Sequence, residues 1–218
     1  MGQELWGAVR RRMSRLFELM YDSKELIHVE RSLDTLLPRY TKHPSFTVRE
    51  VGATDLGSQA CPLPEADRQV LLDAIGEGCR VFALYDGMAW AGWMLVGRQY
   101  SPVNREFCYP IPPDDRHIVN LAIEVEPRYR GGKAAGFLKE TVMLRLKDEG
   151  FKRVLGGIET LNHSSLALAR HFEFRQVRRV RVQKVLGMRW VTVLDAEHQG
   201  PIQRERGQRA PRRTHAQV

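Results

Sequence analysis

The sequence predicts an α/β (α+β) fold in which a mixed, mostly antiparallel sheet is flanked by helices. Three observations carry that prediction. Two apolar runs, residues 80–85 and 90–97, flank Asp86-Gly87, a strong short-range hairpin signal. A near-continuous apolar run at 117–125 passes through a glycine-rich turn into a helical pattern at 134–149. A second buried-strand run at 154–158 and another helical stretch at 164–171 follow. The first half therefore reads as antiparallel and the second as strand–helix–strand, the order that a parallel pair requires.

The remaining elements follow along the chain. Leu5, Val9, Met13, Leu16, Phe17 and Met20 recur at helical spacing with Arg10, Arg11, Arg12 and Arg15 on the other side, an amphipathic basic helix. Such a helix either lies on an anionic surface or packs on the domain or a partner subunit, and both alternatives stay open. Leu26-Ile27-His28-Val29 is a short strand, and residues 38–44 are a connector. Residues 46–51 alternate as a strand, with a helix entry at Thr54-Asp55-Leu56. Residues 64–75 carry Val70, Leu71 and Ala74 on one helical side, with Gly76 and Gly78 as stops. Gly92 inside a strand signals a bulge or a close approach of backbone. Residues 100–115, rich in prolines and aromatics, are a loop expected to shape a substrate pocket. Residues 177–185 and 189–194 pair around Gly187. The expected organisation is a basic helix and connector over 1–44, one domain over 45–198, and a disordered basic tail over 199–218.

Composition narrows the classes. No run approaches the ~20 apolar residues of a membrane-spanning helix, so no transmembrane segment is expected. Cys61, Cys79 and Cys108 are odd in number and show no CxxC spacing. That argues against a disulfide framework or a metal site and makes a reducing cytoplasm the expected compartment. The formal charge of +8 is concentrated at one end: residues 170–218 hold twelve Lys and Arg against four acids. A neutral body with a basic end is weak evidence for nucleic acid, although contact of the tail with RNA or another polyanion stays open.

The chemistry-bearing segment is the turn after residues 117–125, Glu126-Pro127-Arg128-Tyr129-Arg130-Gly131-Gly132-Lys133-Ala134-Ala135. Glycines turn the backbone tightly and leave amides uncovered by Cβ, and a helix N-terminus adds partial positive charge. With Arg128, Arg130 and Lys133 this is a cradle for a polyanion, best a pyrophosphate. Neither a Walker motif nor GxGxxG is present.

Here the sequence resembles the GNAT (Gcn5-related N-acetyltransferase) superfamily. Arg130-Gly131-Gly132-Lys133-Ala134-Ala135 is similar to its acyl-CoA signature [Q/R]-x-x-G-x-[G/A], with Lys133 in place of the middle glycine. Pro127-Arg128-Tyr129-Arg130-Gly131 resembles the family's P-x-Y-R-G run. Asn162-His163-Ser164-Ser165-Leu166 is similar to its N-x-x-[A/S], and Phe174 to the Phe of its terminal G-F. The likeness covers about residues 45–193, and its run at 162–190 resembles a bacterial group with a basic N-terminal extension and unassigned substrate.

The resemblance implies a fourth and a fifth strand that splay apart around a pantetheine arm held by the backbone of Ile123, Glu124 and Val125. It implies that amides of Gly131, Gly132, Lys133, Ala134 and Ala135, with Arg130, hold the pyrophosphate of acetyl-CoA or another acyl-CoA, with Asn162 near the acyl end and no metal. An amine, expected to be a small molecule or amino sugar, would attack the thioester directly. Two bases are open: Glu124, whose pKa burial would raise, and His117, whose intrinsic pKa suits the task. Where many relatives carry an acidic Tyr, this chain has Ala169, and His171 sits about 200° away around the helix. A degenerate, non-catalytic binder, an acceptor such as aminoacyl-tRNA, and a homodimer remain alternatives.

Overall fold

The computed structural model describes residues 21–40, 45–58, 61–98, 116–185, 188–195 and 200–201. The expected N-terminal helix, the whole of the 100–115 loop, Gly187 and the tail beyond Pro201 lie outside the described residues. In chain order come β1 (Tyr21–Ser32), β2 (Phe46–Val51), α1 (Ala53–Gly57), α2 (Glu65–Gly76), β3 (Arg80–Asp86), β4 (Ala89–Gly97) and β5 (His117–Val125). A 3₁₀ turn (Pro127–Tyr129) leads to α3 (Ala134–Asp148), β6 (Arg153–Glu159), α4 (His163–His171), β7 (Arg175–Val185), β8 (Met188–Asp195) and β9 (Gly200–Pro201).

All described strands join one sheet in the order β2-β3-β4-β5-β6-β1-β7-β8, with β9 paired to β7. Every pairing is antiparallel except β5 with β6. The mixed, mostly antiparallel sheet flanked by helices is thus the predicted class. Alternation decides the two faces. Phe82 and Leu84 join Met94, Ile118 and the apolar stripe of α3 and α4, while Val81 and Ala83 join Leu95, Leu121 and residues Leu56, Leu71 and Ala74 of α1 and α2.

The hairpin forms where Asp86-Gly87 signals it. Asp86 pairs with Ala89, so the two-residue loop is Gly87-Met88, and of the two only Gly87 has positive φ, +59°. Gly92 shows both predicted features. The β3–β4 register slips next to it, and a Cβ built there would lie 2.4 Å from the carbonyl oxygen of Glu124.

Two differences from expectation matter. The short strand at Leu26-Ile27-His28-Val29 is the middle of a twelve-residue strand lying between β6 and β7. Its outer residues are charged and find partners rather than water: Glu25 accepts from Arg179 and Arg181, and Glu30 from Arg175. Part of the basic C-terminal excess is therefore paired inside the sheet. Residues 21–36 also supply Leu26, Val29, Leu33 and Leu36 to the core, so the folded unit draws in chain from before residue 45. Gly200 and Pro201, placed in the expected tail, pair with Gln176 and Arg175.

Candidate functional site

The site begins where β5 and β6 stop pairing. Their ladder runs from His117–Arg153 to Asn120–Gly156 and ends there. Beyond it β5 stays with β4, Ala122 and Val125 facing Leu95 and Gly92, while Gly157, Ile158 and Glu159 stay with His28, Ile27 and Leu26 of β1. The two strands are held by different neighbours, and a wedge opens between them. Leu121 is the extra residue of a bulge, because Leu95 faces Ala122 while Val96 faces Asn120. The backbone edge of residues 121–125 turned toward β6 thus has no strand partner, and the splayed pair expected of the fourth and fifth strands is present here as β5 and β6.

Two adjoining cavities fill the wedge on the side of α3 and α4. The outer one, about 620 Å³, is lined by Ile123, Glu124, Val125, Arg130, Gly131, Gly132, Ala135 and Asn162 among others. The inner one, about 230 Å³, reaches Asn120, Lys139 and Gly157 and shares Ile123, Asn162, Ser165 and Leu168 with the outer. The geometry is one channel from the start of α3 to the apex of the wedge. A separate cavity of about 660 Å³, lined by Arg49, Asp55, Tyr85, Trp90 and Arg128, involves the α1 side of the sheet.

The outer end of the channel is the glycine-rich turn. The 3₁₀ turn closes with the Arg130 N–H donating to Pro127 O, and Gly131 follows at φ +75°, a conformation that L side chains rarely adopt. Lys133 then stands as N-cap of α3 without a side-chain cap bond. Among the described residues, no protein acceptor caps the amides of Gly131, Gly132, Lys133, Ala134 or Ala135. Open amides at the positive end of a fifteen-residue helix fit a diphosphate.

The basic side chains are arranged differently from the predicted cluster. Arg128 stacks over Tyr129 at 4.8 Å, donates to Trp90 O at 3.3 Å and lines the separate cavity rather than the cradle. Arg130 Nε donates to Val125 O at 2.9 Å, tying the turn to the end of β5, and its Nη2 lies 3.5 Å from Glu124. Lys133 is exposed.

The two expected bases part company. Glu124 lines the outer cavity, but its side chain is 56% exposed, so the burial expected of it is absent. Alternation along β5 puts Glu124 on the face of its cross-strand neighbour Trp93, opposite Ile123 and Val125. His117 is buried, 5% exposed, at the far end of β5, with Nε2 3.3 Å from Arg98 O. Six residues of strand, about 20 Å, separate it from Ile123, and neither channel cavity includes it. The structure therefore does not bring His117 together with the other predicted residues.

Asn162 lines both cavities and also has a structural task. Its Oδ1 accepts from the Ser165 N–H at 3.0 Å and from Ser164 Oγ–H at 2.9 Å, capping α4. Ala169 is fully buried, with no acid group to offer the channel. His171 does line the outer cavity, and its Nε2 lies 2.9 Å from Tyr40 Oη. Tyr40 reaches it because the buried Glu140 carboxylate accepts from the Arg39 and Tyr40 amides, both at 2.6 Å.

Sequence reasoning missed Lys139. It is 3% exposed, and burial alone pushes its pKa down to about 7. Its Nζ lies 4.2 Å from the centre of the Phe174 ring and 6.0 Å from that of Phe172, and among the described residues no carboxylate pairs with it. A signal existed: Lys139, Val142, Met143 and Leu146 share one helical face, so a lysine stands in an apolar stripe.

No described helix is long and apolar enough to cross a membrane, and no described cluster of His, Cys, Asp and Glu could hold a metal ion. No protein-family model matches the chain, and no curated protein does. Solved structures do resemble it. A Staphylococcus epidermidis protein of unknown function superposes with TM-score 0.52 and 10% identity, over 80% of this chain and 66% of that one. The tandem GNAT protein from the clavulanic acid biosynthesis pathway superposes with TM-score 0.51 and 16% identity, over 78% of this chain and 55% of that one. A Drosophila protein follows with TM-score 0.50 and 10% identity, over 83% and 57%. Each match thus spans less than two thirds of the other structure, and at such identity the likeness is one of fold.

Proposed function

We propose that this chain, whose fold is that of the GNAT superfamily, is an acyl-CoA-dependent N-acyltransferase that transfers the acyl group, acetyl in the simplest case, to a primary amine of a small molecule or amino sugar. One observation carries the reading: the parting of β5 and β6 after Asn120–Gly156 is continuous with a helix start whose amides have no acceptor among the described residues.

In this reading the amides of Gly131, Gly132, Lys133, Ala134 and Ala135 donate to the diphosphate, and the Lys133 ammonium adds charge from the rim. Arg130 holds the turn against Val125, so the cradle keeps its distance from the strand edge. The free edge of β5 at Ile123 and Val125 bonds the pantetheine amides as an added strand would. Bound so, acyl-CoA supplies an activated carbonyl for direct attack by the amine. Glu124, at the solvent-reached wall of the channel, takes the amine proton directly or through water. Asn162 offers its amide N–H near the acyl end while its oxygen caps α4. The leaving thiolate departs as the anion, since Ala169 carries no proton to give.

A second reading, acyl-CoA binding without transfer, is favoured by Ala169 alone. Calorimetric titration with acetyl-CoA, followed by thiol release over a panel of amines, separates the two. Binding with turnover supports transfer; binding without turnover on any amine supports the second reading. Absence of binding to acetyl-CoA or free CoA overturns both. Salt-dependent tRNA binding would instead move the acceptor to a macromolecule.

A further inference from the structure

A buried lysine with no counter-charge among the described residues lines the inner cavity, and nothing in the acyl-transfer scheme uses it. Desolvating an ammonium is expensive unless a partner compensates, and among the described residues Lys139 has the faces of Phe174 and Phe172 and no carboxylate. Asn120, on the same cavity wall, has an Oδ1 that is buried without a hydrogen-bond donor. An acceptor without a donor and a lysine whose described contacts are two aromatic faces thus line the same cavity. A carboxamide carries donors as well as an acceptor, so Asn120 can present N–H to a ligand by rotating about χ2.

The apex is larger than an acetyl group needs. At about 30 Å³ per water-sized group, 230 Å³ holds roughly seven of them. The other charged groups nearby are committed. Glu159, the one acid among the described residues of the cavity wall, is 46% exposed and lies 3.6 Å from Lys24. Glu140, next along α3, is bonded to the amides of Arg39 and Tyr40, and Glu30 on β1 to Arg175. Glu124 lies at the mouth beside Arg130, and His171 bonds to Tyr40.

We propose that the inner cavity is the acyl pocket and that it selects CoA thioesters whose acyl chain ends in a carboxylate, bound by Lys139 and Asn120. This rests on the acyl-CoA reading and narrows its donor to the monothioesters of short dicarboxylic acids. The terminal carboxylate accepts from Lys139 Nζ and Asn120 Nδ2, giving the buried ammonium its counter-ion. Aliphatic acyl chains leave both groups unpaired, which is the basis of discrimination.

The test uses the full chain and three probes: free CoA, butyryl-CoA and succinyl-CoA, measured by calorimetry near pH 7. Succinyl-CoA is expected to bind at least about tenfold more tightly than butyryl-CoA. Lys139→Met, which replaces an unpaired buried cation by an apolar chain of similar length, should erase that preference while leaving free CoA binding unchanged. Thermal shift of both proteins with each ligand repeats the comparison without turnover. Equal affinity of the wild type for the two thioesters overturns the proposal but leaves the acyl-CoA reading standing. So does a preference that survives Lys139→Met. Failure of free CoA to bind the wild type removes the acyl-CoA reading and this inference with it. A variant that keeps donor choice but loses turnover would place Lys139 in proton transfer instead, and would likewise overturn it.

Discussion

Asn120 faces Gly156 at the last rung of the β5–β6 ladder, and one residue further on the two strands answer to different neighbours. β4 holds Ala122 to Val125 on one side, and β1 holds Gly157 to Glu159 on the other. The wedge is therefore not a flexible gap but a consequence of two antiparallel ladders pulling adjacent strands apart. It also explains why β1 matters to the site although none of its residues lines either channel cavity: without it, the end of β6 would have no sheet partner to hold it away from β5.

The cradle gives the first prediction. Gly131 has φ +75° and open space where a Cβ would lie, so conformation and charge, not packing, decide what it tolerates. Gly131→Glu should weaken CoA binding by at least about tenfold, because strain of roughly 1–2 kcal/mol combines with a like charge beside the diphosphate. Gly131→Asn, which enters the left-handed region at less cost, should retain most affinity. Equal calorimetric affinity of Gly131→Glu and wild type would remove the turn from the binding site.

Glu124 gives the second. If its carboxylate takes the amine proton, Glu124→Gln should lower kcat by roughly 10² or more while the affinity for CoA changes little. Its ion pair with Arg130 is an exposed one, so melting temperature should hardly move. An unchanged kcat across the pH range would strike Glu124 from the mechanism.

How far the sequence could be read follows from where its signals are local. The β5-to-α3 turn was legible because a strand, two glycines and a helix follow one another within a few residues, and the Gly87 hairpin because its signal spans two positions. β1 was legible only over Leu26 to Val29. Its flanks are Lys, Glu and Arg, whose apolar pattern is absent and whose pairing with Arg175, Arg179 and Arg181 is visible only once strands some 150 positions apart in sequence meet. The same non-locality hid Arg128, which the chain turns toward Trp90 rather than the glycine-rich turn. Exposure of Glu124 depended on the wedge itself, which no residue pattern on β5 alone announces.

The third prediction concerns Gly92. Any Cβ there would meet the backbone of Glu124 and Val125, at 2.4 and 3.0 Å, and backbone cannot rotate out of the way as a side chain can. Gly92→Ala should therefore force β4 from β5 and cost about 1–3 kcal/mol, read as a lower denaturant midpoint at unchanged slope. Because Glu124 and Val125 line the channel, CoA affinity should fall as well. A melting curve identical to that of the wild type would mean the two strands are not so tightly apposed.

The last prediction is a pH dependence. Arg80 donates to Glu50 through Nε and Nη2, at 2.7 and 2.9 Å, and to Glu149 through Nη2 at 2.9 Å, joining β2 and β3 to the end of α3. Arg145 closes the network on Glu50 at 2.6 Å and on Glu149 at 3.2 Å. The hydrogen bonds from Arg80 are the main reason that both carboxyls are held below the ordinary carboxylate range. Groups whose folded pKa is depressed stabilise the protein above their unfolded pKa, about 4.3, and that stabilisation is lost as pH falls through the folded value. Arg80→Met should accordingly lower stability at pH 7 by about 1 kcal/mol, since the charges are partly solvated, or roughly 2–4 °C in Tm. The gap to wild type should close as pH falls from about 4 through the depressed folded values, where the wild type too loses its ionised acids. It should also shrink in high salt. A gap that stayed constant from pH 7 to pH 3 would show that Arg80 acts through its packing on the Phe82 ring, 5.0 Å away, and not through its charge.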